Sequence, residues 1–172
     1  MRGFAVFAVA AMLAAGSFVA PAQAQPASQH QASVARGRYL VSITGCNDCH
    51  TAGYNEAEAK LPERDWLEGN ALGFHGPWGT TYPINLRNLV AHLTEAEWLN
   101  YIRTMHPRPP MPGWALKGMT PQDQRAVYAF IRYLGPAGRE APNALPPGVA
   151  PPPPVVSFPA PPTEAAVQKT PG

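Results

Sequence analysis

Apolar side chains recur with a helical period in three stretches of the chain and show no sustained period between them. In "SVARGRYLVSIT", Val34, Gly37, Leu40, Val41 and Thr44 fall on one face at i, i+3, i+4 spacing, with Ser33 placed to cap the first turn. In "LTEAEWLNYIRTMHP", Thr94 and Glu97 form a capping-box signature. Trp98, Tyr101, Ile102 and Met105 make the buried stripe of a helix over 94–105, and Pro107 ends it. In "MTPQDQRAVYAFIRYLGP", Thr120 is the cap, Pro121 takes the favoured first position and Asp123 lies in the positive first turn. Val127, Phe130, Ile131 and Leu134 form the stripe, and Gly135-Pro136 stops the helix.

The rest of the chain is patterned differently. Residues 53–93 are rich in Gly, Pro and Asn and read as mostly irregular, with a short helix around 56–60. Residues 25–32 are small and polar, a flexible lead into the domain at 33–138. Beyond Gly138, Pro, Ala and Val dominate and large side chains are few, so 139–172 reads as a disordered, partly polyproline II tail. The first 24 residues have a different order again. One positive charge at Arg2 precedes the apolar run from Phe4 to Ala20, and the small-x-small site Ala22-Gln23-Ala24 follows. That order predicts a cleaved secretory signal peptide over 1–24, because the run is short of the roughly 20 residues a spanning helix needs. The mature product is then exported, with no transmembrane segment.

Charge adds little. Thirteen Lys and Arg stand against eleven Asp and Glu, without a basic run, so no nucleic-acid partner is expected. Three helices joined by loops this long would pack poorly by themselves, and such loops call for something large to wrap around.

The only two cysteines lie in "TGCNDCHTAG", as Cys46-x-x-Cys49-His50. A thioredoxin-like redox pair belongs at a strand-to-helix junction, whereas helical periodicity precedes this one. A zinc site needs two further ligands at close spacing, and His75, His92 and His106 are scattered. A disulfide here would close too small a loop to stabilise much. C-x-x-C-H is also the attachment sequence for a c-type haem. There the two thiols add to the porphyrin vinyl groups, and the next residue, His50, is held where its imidazole can ligate the iron.

Such an iron takes a second axial ligand, often Met, which raises the reduction potential. Met105 is explained by its helix stripe, and Met119 by packing beside a helix cap. Met111, in "HPRPPMPGW", sits between Pro110 and Pro112. Pro112 biases it away from helix, and neither proline offers a backbone donor, so a stiff loop presents one thioether. Met111 is the expected ligand and His106 its rival; the plainer reading is that Met111 fills a gap, as methionine often does.

The order of helix, C-x-x-C-H, irregular middle, helix, Pro-rich Met loop and last helix resembles class I, mitochondrial-type cytochrome c. More narrowly, "GRYLVSITGCNDCHTAG", "GPWGTTYPINLR" and "RPPMPGWALKGMTPQDQRAVYAFIRYL" are similar to bacterial periplasmic monohaem cytochromes related to dehydrogenase cytochrome subunits. The resemblance implies an all-α cytochrome c fold, with three main helices and long loops around one covalently bound haem c and its iron. It implies that the first and last helices cross at Gly37 and Phe130, beside Val41 and Val127. The family often has proline after C-x-x-C-H-T where this chain has Ala52, which leaves open the carbonyl that orients His50, with Pro62 one candidate. The segment around 73–87 offers donors to the haem propionates in Trp78, Tyr82, Asn85 and Arg87. Equally, Trp78 could be core cover and Arg87 a surface charge.

The function so implied is single-electron transfer, not catalysis, between redox proteins: a dehydrogenase as donor, an oxidase or another cytochrome as acceptor. The Pro-rich tail would be a tether or docking segment. The competing reading is a haem enzyme or ligand sensor with an open sixth site, using His106 or Arg108.

Overall fold

The computed structural model describes residues 26–160; the signal-peptide expectation at 1–24 and the last residues of the tail lie outside that range. Six helices appear in the order α1 (Pro26–Ile43), α2 (Cys46–His50), α3 (Leu86–Ala91), α4 (Glu95–Thr104), α5 (Gly113–Gly118) and α6 (Pro121–Leu134). A 3₁₀ turn at Glu63–Asp65 and three short strands, β1 (Gly73–Gly76), β2 (Gly79–Thr81) and β3 (Val155–Ser157), complete it. The mainly helical architecture agrees with the expected all-α class, to which the three short strands are an addition.

The defining contact is the crossing of α1 and α6. A Cβ built on Gly37 would lie 1.9 Å from the backbone oxygen of Ala126 and 2.7 Å from the Phe130 Cβ. Only glycine lets the helices approach this closely. Around the crossing Val34, Leu40 and Val41 of α1 pack with Ala126, Val127, Phe130 and Ile131 of α6. Trp98 and Ile102 of α4 join from the side, and the Trp98 indole donates to the Gln124 carbonyl at 2.9 Å. Arg36 closes the outer end by pairing with Asp123 at 2.9 Å.

Both later helices start where their capping residues stand. Thr94 accepts from the Glu97 amide at 3.3 Å while the Glu97 carboxylate accepts from the Thr94 amide at 2.7 Å. Thr120 accepts from the Asp123 amide at 3.1 Å, with Pro121 first in the helix.

Several elements differ from expectation. Helix α1 begins at Pro26, not Ser33, so the lead expected to be flexible is helical. Ala and Gln are good helix formers, and Pro is welcome at a first position. Residues 56–59 form turns and Lys60 is irregular, rather than a short helix, with Glu58 and Ala59 at positive φ. Helices α3 and α5 and the β1–β2 hairpin carry no long apolar pattern and are held by their neighbours. The segment beyond Gly138, expected to be a disordered tail, lies against the domain through residue 158. Strand β3 pairs in parallel with β1, Phe74 opposite Val156, in a sheet ordered β2-β1-β3. It needs no core of its own, because its backbone completes an edge that already exists.

Two predictions follow from the packing. Gly37→Ala should lower stability by about 1–3 kcal/mol, the scale of overpacking, whereas Gly118→Ala, with nothing within 4 Å of the added carbon, should not. Denaturant midpoints measure both. Hydrogen bonds from the Thr94 amide and hydroxyl hold the Glu97 carboxyl below its usual range. A depressed folded-state value means that stability is present above the unfolded carboxylate range and lost as pH falls through the folded value. Glu97→Gln should therefore flatten the acid limb of the stability–pH curve and leave its alkaline limb unchanged.

Candidate functional site

A cavity of about 520 Å³ opens beside the helix crossing, within the roughly 300–1,000 Å³ range of cofactor sites. Its floor belongs to the core: Val41, Trp98, Val127 and Ile131 face it. Cys46, Cys49 and His50 border it on one stretch of chain, and Met111 on another.

Helix α2 delivers the first three. Thr44 closes the end of α1, and Gly45, at φ +74, turns the chain into a single helical turn running from Cys46 to His50. His50 is buried and donates from Nδ1 to the carbonyl of Ile84 at 2.7 Å. Because a carbonyl can only accept, the proton sits on Nδ1 and Nε2 keeps its lone pair. This answers the open question of the orienting carbonyl: it is Ile84, directly after Pro83, and not Pro62. Gly69 makes the approach possible. Its amide donates to the His50 carbonyl at 2.8 Å, and a Cβ there would meet the Asn85 nitrogen at 2.9 Å. Thr51 ties the same loop down, donating to Asn47 Oδ1 and accepting from the Leu67 amide.

Burial lowers the imidazole below its ordinary range, and the Ile84 bond only partly offsets this. The ring is therefore neutral, the form that ligates a metal. Burial also raises both thiols, Cys46 against a weak opposing contact from the Thr44 hydroxyl, Cys49 with added repulsion from Asp48. A redox cysteine is activated in the opposite direction. Among the described residues no group of three or more His, Cys, Asp or Glu side chains is placed to hold a metal ion.

The remaining expected residues divide. Tyr82 is buried and lines the cavity. Trp78 does not line it, although its Nε1 is buried without a partner, and its ring rests on Phe158 at 5.6 Å. Asn85 and Arg87 are committed elsewhere. Asn85 caps α3 through Oδ1 and donates from Nδ2 to the carbonyls of Ala137 and Arg139, at 2.7 and 3.2 Å. Arg87 is buried, not a surface charge. Its guanidinium donates to the carbonyls of Gly135, Leu134 and Arg64 and to Glu68. Neither lines the cavity; both side-chain N–H groups of Asn85 and four of the five of Arg87 are taken. The rival ligand His106 is exposed and outside the cavity lining, while Met105, Met119 and Arg108 are within it.

Thr81 was not singled out by sequence, although it stands beside Tyr82 in a quoted segment. Its hydroxyl is buried without a partner, and the residue lines the cavity. A large apolar cavity, two un-ionised thiols, a neutral imidazole with a free Nε2 and an orphaned hydroxyl at the hairpin fit a haem with carboxylate arms.

A family model described as cytochrome c matches residues 34–135. The chain belongs to the cytochrome c family. It is a c-type cytochrome, a family of electron carriers that bind haem c, and its two cysteines fit the C-x-x-C-H attachment. Searches of the curated proteins and of the solved structures found no significant match to this chain.

The commitments of Arg87 make a test. Arg87→Ala should cost about 3 kcal/mol, at about 1–3 kcal/mol for each buried acceptor left unpaired, and leave the haem absorption spectrum of the folded protein unchanged. A normal melting midpoint with an altered spectrum would return Arg87 to the haem.

Proposed function

We propose that this chain is an exported, periplasmic carrier of single electrons whose one haem is anchored by Cys46 and Cys49 and ligated by His50 and Met111. The observation that carries the reading is the His50–Ile84 hydrogen bond, which leaves Nε2 as a ligand beside the cavity that Met111 also lines. Haem, when bound, supplies a ferric–ferrous couple, and Met as axial ligand favours a higher potential.

The protein's part is orientation and exclusion of water. Ile84 fixes the tautomer and plane of His50, the outer contact that makes a ligating imidazole more basic. Met111 is held by its own backbone: its amide donates to the Arg108 carbonyl at 3.1 Å, and its carbonyl accepts from the Gly113 amide at 2.9 Å. Met105 has another task, since its methyl group backs Gly113 from behind, and Met119 packs against the core. Export is supported by the signal-peptide pattern of 1–24. No helix among the described residues is long and apolar enough to cross a membrane. A dehydrogenase is the donor most in keeping with the sequence resemblance, and an oxidase or another cytochrome the acceptor.

Met111→Ala should abolish the weak long-wavelength band of the ferric protein that marks a Met-ligated haem, whereas Met105→Ala and Met119→Ala should keep it. Absorption spectra of the three purified holoproteins decide this. Absence of that band from the parent protein, with ready binding of carbon monoxide by its ferrous form, would replace the carrier with a haem enzyme or ligand sensor.

A further inference from the structure

The family match stops at residue 135, yet the chain beyond it builds part of the cavity. Glu140, Ala141, Pro142, Asn143 and Ala144 line the same space as Cys46 and His50. This segment is pinned along its length. Asn85 holds the carbonyls of Ala137 and Arg139, and Asn88 donates to Glu140 at 2.8 Å. Leu145 exchanges two backbone hydrogen bonds with Thr80, at 2.9 and 3.0 Å, directly beside the orphaned hydroxyl of Thr81. Strand β3 then pairs with β1, the Phe158 amide donates to His75 at 2.7 Å, and the Phe158 ring lies over Phe74 and Trp78.

The receiving surface is cut to fit. A Cβ on Gly79 would stand 2.2 Å from the Leu145 carbonyl oxygen and 2.7 Å from Pro146. The proline content serves the same end. A polyproline segment is already extended and loses little freedom when laid down.

We propose that residues 137–158 are a strap forming the wall of the haem site between α3 and the β-hairpin, and that this wall keeps water from that edge of the bound haem. Burial is one of the protein's controls on haem potential, because a dry surrounding disfavours the more highly charged ferric form. The strap thus sets the potential, and its removal opens this edge to small reagents. The inference rests on haem attachment in the reading above but not on Met111 as ligand.

The experiment compares four holoproteins: the full chain, a chain lacking 161–172, a chain lacking 141–172, and Leu145→Pro/Phe158→Ala. The double variant keeps the cavity-lining residues 140–144 but removes one Thr80 hydrogen bond and the aromatic latch. Lacking 161–172 should change nothing. Lacking 141–172 should shift the ferric–ferrous equilibrium about tenfold toward ferric, ~59 mV for one electron, and speed oxidation by ferricyanide several-fold. The double variant should move the same way by less. Should the shorter chain fail to load haem, the double variant decides alone. Equal potentials and oxidation rates in haem-loaded full-length and unstrapped proteins would overturn the strap. The axial-ligand band is recorded throughout, so a failure of Met111 ligation is read separately from a failure of the strap.

Discussion

The contact between Gly37 and the backbone of Ala126 is the constraint on which the rest of the molecule depends. It sets how closely α1 and α6 approach, and both helices serve the site as well as the core. Helix α1 ends where the cysteine turn begins, and α6 presents Val127 and Ile131 to both core and cavity. A wider crossing would separate the attachment turn from the wall it faces. Core and site are one surface here, seen from two sides.

A second feature follows from the long loops. Their backbone groups must find partners, and here the partners also aim the site. The 51–69 loop is closed by Thr51, Asn47 and the Leu67 amide, and it ends at Gly69, whose amide takes the His50 carbonyl. The next segment passes over Gly69 and gives its Ile84 carbonyl to the same imidazole. One histidine is therefore gripped at its main chain and at its ring by two loops that meet at a glycine. Arg87 does comparable work a few residues on, where a buried guanidinium gathers carbonyls from the end of α6 and from the 3₁₀ turn. Many polar groups of the irregular middle are thus spent on bonds that also aim the site.

How much of this could be read in advance depended on whether the signal was local. Thr94 with Glu97 and Thr120 with Pro121 mark helix starts that the structure shows, because capping is decided within one turn. The glycine at 37 and the aromatic at 130 were legible as a crossing through family resemblance. The cysteine turn was legible from five residues. Asn85 and Arg87 were not, since a donor in a Gly- and Pro-rich loop has the same sequence signature whether it serves a ligand or an orphaned carbonyl. Helices α3 and α5 are too short for periodicity to register and rely on tertiary contacts. The strap escaped for a related reason. A lack of large side chains excludes an independent core, but it does not exclude a chain that borrows one.

Proline then takes on a common meaning in two places that differ in sequence setting. Met111 lies between Pro110 and Pro112, and the strap carries prolines at 142, 146, 147 and 151–154. In both, a cavity boundary is made without regular secondary structure, where a flexible chain would pay heavily to stay in place. Proline lowers that cost by restricting the unfolded chain beforehand. It also withholds amide donors, so fewer bonds can form within the segment, and the strap takes most of its bonds from the domain. Leu145 shows this best: directly before Pro146 and Pro147, which have no amide hydrogen, it both donates to and accepts from Thr80. Stiffness supplied by covalent geometry on two sides, and by helix packing on the floor, gives a site whose walls are ordered by different means. The thioether ligand and the water-excluding edge proposed above would both depend on that order, because neither brings enough binding energy to impose it.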